Sequence, residues 1–140
     1  MPGATDQIVS AIMEKWAAAF GTLDARALAA LYSRSAFFFG SNPSLYRGQD
    51  GVRAYFDALP RWTSPTVQFD DVATTQVASD VINLATRATF AVGEDVSPLS
   101  IKLTWVIVRE DGEWKIASHH ASSLIPLLDP ADESGAPQKQ

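Results

Sequence analysis

The sequence predicts a single α+β domain. Apolar residues before Pro60 recur at helical spacing, whereas those after Pro65 alternate as they do in β-strands. Helices first and strands after, joined by short connections, indicate helices on one face of an antiparallel sheet. A chain of 140 residues fits one domain, which we place at residues 1–128.

Two helices are predicted at the start of the chain. Thr5 or Asp6 can cap the first, and Gly21 ends it. Its apolar face consists of Ile8, Ile12, Met13, Trp16 and Phe20. Asp24 can cap a second, shorter helix, whose inward positions are Leu28, Leu31 and Tyr32.

A strand, a turn and a third helix follow. The run Ala36–Phe39 predicts a short buried strand, and residues 40–44 have turn composition. Gly48 to Leu59 is predicted as the third helix, because its apolar residues share one face and Pro60 stops it.

Four strand-like runs make up the second half, at residues 66–78, 80–92, 100–109 and 114–123. The second run alternates clearly: one face carries Ile82, Leu84, Thr86, Ala88 and Phe90, and the other carries Asn83, Ala85, Arg87 and Thr89. The polar residues 129–140 show no periodicity and are predicted to be a disordered tail.

Composition excludes several classes of function. The net charge of −5 and the scattered cations argue against a nucleic-acid partner. No apolar run approaches the ~20 residues of a membrane span, and residues 1–7 lack the pattern of a signal peptide. The absence of cysteine favours a cytoplasmic protein. With two histidines and no cysteine, we expect neither a metal site nor a cofactor.

The last two strands bring titratable groups to a predicted hairpin. Both histidines, His119 and His120, lie near its end, beyond a turn at Asp111-Gly112. A two-residue loop would put Trp105 opposite Ser118, on the face of His120. A three-residue loop would put Trp105 opposite Ala117, on the face of His119. The residues alone permit both.

Three segments together resemble the NTF2-like superfamily. Leu31-Tyr32 precedes the Phe-rich strand, and residues 48–59 read G-x-D-x-x-R-x-Y-F-D-x-L. The end supplies Arg-Glu-Asp-Gly-Glu-Trp-Lys-Ile, followed by His-His and Ser-Ser. Within the superfamily, residues 6–126 are most similar to the association domain of calcium/calmodulin-dependent kinase II and to its SgcJ/SnoaL-like bacterial relatives. The resemblance implies a cone of curved sheet and three helices around a pocket.

The resemblance also implies site residues. The pocket arginines of the kinase association domain match Arg87, Trp105 and Ala121, which favours the longer loop and puts His119 inside. The catalytic Asp that superfamily isomerases carry after the first strand has no counterpart in residues 39–42.

The implied pocket therefore has a small set of polar and aromatic groups. His119 is the candidate catalytic base, and the candidate ligand-binding residues are Arg87, Trp105, Tyr32, Trp16 and Asn42. His120 points to the other side of the sheet. There we expect a homodimer interface that includes Thr104, Val106, Val108, Trp114, Ile116 and His120.

Two functions follow as hypotheses. The first is a small-molecule-binding protein, or a SnoaL-like enzyme, acting on a small ligand with a carbonyl or carboxylate group. As an enzyme it would be a lyase, isomerase or cyclase that needs no cofactor. The alternative is a non-catalytic association module with a vestigial pocket.

Overall fold

Within residues 3–128, the part of the chain that the computed structural model describes, three helices and six strands form an α+β fold. Their bounds in chain order are α1 (Ala4–Gly21), α2 (Ala25–Ala29), β1 (Tyr32–Phe39), β2 (Leu45–Arg47), α3 (Gly48–Asp57), β3 (Thr66–Ala78), β4 (Val81–Ala91), β5 (Leu99–Glu110) and β6 (Glu113–Ser123). The tail predicted at 129–140 lies outside the described residues.

The strands form one sheet in the order β2-β1-β6-β5-β4-β3. Strands β3 to β6 are an antiparallel meander, and each lies within two residues of its predicted position. The alternation predicted for β4 is confirmed: Ile82, Leu84 and Ala88 are buried, whereas Asn83, Ala85 and Arg87 are exposed. This pattern gives the sheet an inner face that carries the core and an outer face.

Strand β1 differs from the prediction in start and direction. It begins at Tyr32, not Ala36, and it pairs with β6 in parallel, so the prediction of a wholly antiparallel sheet is wrong. The cause is local: α2 ends at Ala29, and the Ile116 N–H donates to the Leu31 carbonyl over 2.9 Å. Tyr32 therefore enters the sheet opposite Ile116 instead of closing a helix. The short strand β2, between the predicted turn and the predicted third helix, was not predicted.

The predicted cap of α2 is confirmed, and the predicted cap of α1 is wrong. Asp24 accepts a hydrogen bond from the Ala27 N–H over 3.0 Å and caps α2, as expected. Helix α1 begins at Ala4, before both predicted caps. Thr5 and Asp6 instead hydrogen-bond to side chains of β3, namely Gln76 and Thr74.

The β5–β6 hairpin combines a short loop with a bulge. Asp111 and Gly112 both have positive φ (53° and 80°), as a two-residue type I′ turn requires, so the longer loop implied by the resemblance is wrong. The turn pairs Arg109 with Trp114, and an extra residue at Ala117 then shifts the register. Trp105 consequently faces His119, and the two share the inner face.

The helices pack on the inner face and enclose an aromatic core. The Trp16 ring of α1 stacks on Phe20 at 5.4 Å between centroids and lies 6.4 Å from the Trp105 ring. Phe56 of α3 meets Trp16 edge to face at 5.8 Å. Among the helices of residues 3–128, none is both long and apolar enough to cross a membrane.

Candidate functional site

A cavity of about 660 Å³ lies between the helices and the inner face of the sheet. Its lining is mainly aromatic and aliphatic, with Trp16, Phe20, Phe38, Phe56, Trp62 and Phe90 among the rings. His119 contributes to the wall, and five serine or tyrosine hydroxyl groups line other parts of it. Among the described lining residues, none carries a carboxylate, an ammonium or a guanidinium group. The cavity therefore suits a mostly apolar molecule without a formal charge.

Two aromatic side chains hydrogen-bond to His119, and a third supports one of them. The Trp16 indole N–H donates to the Tyr32 hydroxyl over 3.0 Å, and that hydroxyl lies 2.8 Å from His119 Nδ1. The Trp105 indole N–H donates to the same Nδ1 over 2.9 Å. Phe38 stacks on the imidazole at 4.0 Å between centroids. Contacts on several sides fix the orientation of the ring.

Burial controls the charge of this cluster. Desolvation lowers the pKa of His119 to about 3, and the charge of neighbouring His120 adds to the effect. Desolvation likewise raises the pKa of Tyr32 above its usual range. At neutral pH the imidazole and the phenol are both uncharged, so the buried network carries no net charge.

A second polar pair, Tyr55 and Ser41, lies elsewhere on the cavity wall. The Tyr55 hydroxyl accepts from the Ser41 N–H at 2.8 Å and donates to Ser41 Oγ at 2.7 Å. Gly40 makes the approach feasible, because a Cβ there would lie 2.5 Å from the Tyr55 ring. Tyr55 thus occupies the wall beside the end of β1, where the sequence offers no carboxylate.

Four of the sequence-predicted site residues come together, in two layers. Trp16 and His119 line the cavity. Tyr32 and Trp105 are completely buried behind them and do not belong to the lining. The polar atoms of Tyr32 and Trp105 are already bonded to His119, and that of Trp16 is bonded to Tyr32. These contacts do not favour a hydrogen bond from Tyr32 or Trp16 to a ligand.

The other two predicted ligand residues lie apart from this cluster. Arg87 is on the outer face, with 65% of its side chain exposed and an ion pair to Asp71 at 3.3 Å, so its expected place beside Trp105 is wrong. The cause is the strand alternation, because Leu84 is the residue of β4 that pairs with Trp105. Asn42 is exposed, and its amide donates to the Tyr46 hydroxyl, away from the cavity lining.

The expected interface residues divide between the two faces. Thr104 and His120 are exposed on the outer face, and Val106 and Val108 are half-buried there. Ile116 is completely buried opposite Ile107, and Trp114 is partly buried against the core. The placement of Ile116 and Trp114 on an exposed face is therefore wrong, because the two-residue turn pairs Trp114 with Arg109 and Ile116 with Ile107 on the inner side, ahead of the bulge at Ala117.

Sequence reasoning missed Tyr55, Ser41 and most of the cavity rim. Tyr55 falls on the apolar face predicted for the third helix, and the sequence signal for its role is Gly40, the glycine directly after the Phe-rich strand. The rim comes from two segments at strand ends, residues 98–101 and 121–125. Their meeting depends on pairing across β5 and β6, which short-range patterns do not show.

Similarity to known proteins agrees with this fold. The family model described as a SnoaL-like domain matches residues 9–126. No curated protein sequence matches the chain.

Solved structures of the same fold come from several bacteria. A Xanthomonas campestris protein, provisionally named a calcium/calmodulin-dependent protein kinase II association domain, is 21% identical with a TM-score of 0.80, covering 91% of each chain. An NTF2-like protein of Pseudomonas putida is 16% identical with a TM-score of 0.78, covering 91% of this chain and 92% of that one. A Streptomyces avermitilis protein, provisionally named a dehydratase of the NTF2-like family, is 16% identical with a TM-score of 0.76, covering 90% of this chain and all of that one. With the family match over residues 9–126, the chain belongs to the SnoaL-like domain family.

Proposed function

We propose that this protein binds a small, uncharged, largely apolar organic molecule in the cavity between its helices and the inner face of its sheet. The observation that carries the proposal is the lining: about 660 Å³ of space with aromatic walls, a few polar groups and, among the described lining residues, no charge. Cavities of roughly 300–1,000 Å³ with such walls are typical ligand sites.

The lining also favours one of the two ligand classes expected from the sequence, the carbonyl compounds over the carboxylates. A carboxylate would enter an apolar cavity without a cation to pair with, which costs several kcal/mol. Arg87, the expected partner of a carboxylate, lies on the outer face. A ring compound that carries a neutral oxygen fits better than an acid, and a lyase, isomerase or cyclase acting on such a compound stays within the proposal.

A pair of matched substitutions tests the cavity as the binding site. Ala121 lines the cavity and Ala85 lies exposed on the outer face, and both are strand alanines. Ligand at 100 times its dissociation constant stabilises a protein by about 2.7 kcal/mol, a clear rise in melting temperature. We expect bicyclic neutral compounds to raise the melting temperature of the wild type and of Ala85→Phe, but not of Ala121→Phe, whose new ring fills the cavity. Equal shifts in both variants, or a panel that is silent with the wild type, would contradict the proposal.

Self-association through the outer face is a second proposed property. Phe37 and Phe39 alternate with the buried Phe38 and are 50% and 37% exposed there. A second copy of the chain would remove these rings from water.

Paired surface substitutions test this association. Phe37→Asp should give a monomer by analytical ultracentrifugation. Val96→Asp, at a residue of similar exposure (47%) in the β4–β5 connection, should leave a dimer intact. A wild type that is monomeric at micromolar concentration would refute the property. The cytoplasmic location stays a prediction from the absence of cysteine.

A further inference from the structure

The hydrogen bonds around His119 determine which ring nitrogen carries the proton. An indole N–H can only donate, so the Trp105 N–H at 2.9 Å requires a lone pair on His119 Nδ1. A proton on Nδ1 would point at the indole proton, and the contact would become repulsive. Nδ1 is therefore the unprotonated nitrogen of a neutral imidazole.

The Tyr32 hydroxyl reinforces this assignment from a second direction. Its oxygen already accepts the Trp16 indole N–H, which leaves its own proton free to donate to His119 Nδ1 at 2.8 Å. Two donors from different elements, β1 and β5, thus converge on one nitrogen. The Trp105 N–H decides the tautomer, because it can only donate, and donation from Tyr32 is the arrangement that agrees with it.

The remaining nitrogen, Nε2, carries the proton and is available to a ligand. It makes no hydrogen bond to any side chain or backbone group of residues 3–128. Over the same residues, every completely buried polar side-chain atom has a hydrogen-bond partner. Because Nε2 has none, it is not completely buried. The cavity that His119 lines gives it access.

We propose that His119 acts as a fixed hydrogen-bond donor through Nε2, and that it selects ring compounds bearing a neutral acceptor oxygen, such as the carbonyl of a cyclic ketone or quinone. This inference rests on the proposed function and deepens it by naming the ligand class. The aromatic walls take the ring, and the Nε2–H is the polar group that orients the oxygen.

This role differs from the base expected from the sequence. A base must offer a lone pair to the molecule it acts on. The nitrogen that faces the cavity already holds its proton, and the lone pair lies on the side occupied by Trp105 and Tyr32. His119 therefore polarises or positions an oxygen and does not remove a proton.

Ligand pairs and conservative variants test the donor role. The probes are α-tetralone and tetralin, which share a ring skeleton and differ in the carbonyl oxygen. His119→Gln can accept from Trp105 with its amide oxygen and donate into the cavity with its amide nitrogen, whereas His119→Leu can do neither. We expect the affinity for α-tetralone relative to tetralin to fall about tenfold in His119→Leu and to persist in His119→Gln. Tetralin serves as the reference because the two compounds differ in hydrophobicity.

The outcomes separate the two proposals. If tetralin and α-tetralone bind but their affinity ratio is the same in all three proteins, the donor role is wrong and the cavity remains a binding site. If neither binds the wild type, the proposed function itself is wrong.

Nitrogen-15 NMR of the ligand-free wild type tests the tautomer without any variant. It should show a pyridine-type Nδ1 and a pyrrole-type Nε2 at His119. The reverse pattern would overturn the inference whatever the binding data show.

Discussion

The indole nitrogen of Trp105 lies 2.9 Å from Nδ1 of His119, on the neighbouring strand of the same hairpin. The two residues are direct cross-strand partners because the bulge at Ala117 moves β6 by one residue after the turn. Without that extra residue, Trp105 would face Ser118 and His119 would point to the outer face. One backbone irregularity therefore gives the cavity its histidine.

The Tyr32 hydroxyl should be a measurable part of the core. Tyr32→Phe leaves the buried Trp16 N–H without an acceptor, and an unsatisfied buried donor costs about 1–3 kcal/mol. We expect a loss of about 2 kcal/mol in the free energy of unfolding, measured by urea denaturation. Tyr46→Phe is the control, because its hydroxyl bonds the exposed Asn42 amide, and it should change stability by less than about 0.5 kcal/mol. Equal effects would show that the network adds little.

Stability should fall in mild acid because His119 resists protonation. Its pKa is about 3 in the folded protein and 6.5 in the unfolded chain, so between these values the unfolded chain binds a proton that the folded protein refuses. The free energy of unfolding is thus unaffected by this group above about pH 6.5 and falls below it. At 1.36 kcal/mol per pH unit, we expect a loss of about 2 kcal/mol at pH 5 relative to pH 8.

Substitution of each histidine assigns this pH dependence. His119→Gln should remove most of the fall, since no imidazole then titrates in the core. His120→Gln keeps the buried imidazole and should retain the fall. A wild-type stability that is flat from pH 8 to pH 5 would contradict burial of a neutral His119.

Arg87→Ala should leave ligand binding in the cavity unchanged. The side chain is 65% exposed and its only ion pair within the described residues is to Asp71, which is 71% exposed. Exposed pairs contribute less than about 1 kcal/mol, so the melting temperature should also change little. Isothermal titration with α-tetralone measures the first point. Loss of binding would restore Arg87 as a ligand residue, as the family resemblance implied.

Gly40→Ala should disturb the cavity wall formed by Tyr55. The new Cβ would lie 2.5 Å from the ring, so the ring must move, and overpacking of this kind costs about 1–3 kcal/mol. Gly93→Ala is the matched control, because its nearest atom is 3.8 Å away on the Val96 side chain. Thermal denaturation of both variants should show a clear loss for Gly40→Ala alone. Similar melting temperatures would mean that Tyr55 is not held in place by this contact.

The sequence predicted most of the elements because their signals are local. Alternation in β4 and the Asp111-Gly112 turn located the meander, and Asp24 located a helix start. The predicted strand began four residues later than β1 does, because Tyr32 fits the apolar spacing of the preceding helix equally well. Its pairing with Ile116 is a long-range contact, which local periodicity does not contain.

The site was harder to predict than the fold for two physical reasons. Bulges such as that at Ala117 have no fixed residue signature, so the face of every later residue in β6 was open. The resemblance implied the correct face for His119 but the wrong loop, because a two-residue turn and a bulge place His119 there. The resemblance placed Arg87 in the pocket, whereas the alternation of β4 placed it on the opposite face from Leu84. The structure agrees with the alternation.

Side-chain NMR of His119 during a titration with α-tetralone observes ligand binding in the cavity and the state of the donor nitrogen in one experiment. We expect the Nε2–H resonance to shift in proportion to bound ligand, while Nδ1 keeps its pyridine-type shift and the His120 resonances do not move. Binding that leaves the His119 Nε2–H resonance unchanged, or that shifts the His120 resonances instead, would contradict a donor role of His119 in the cavity.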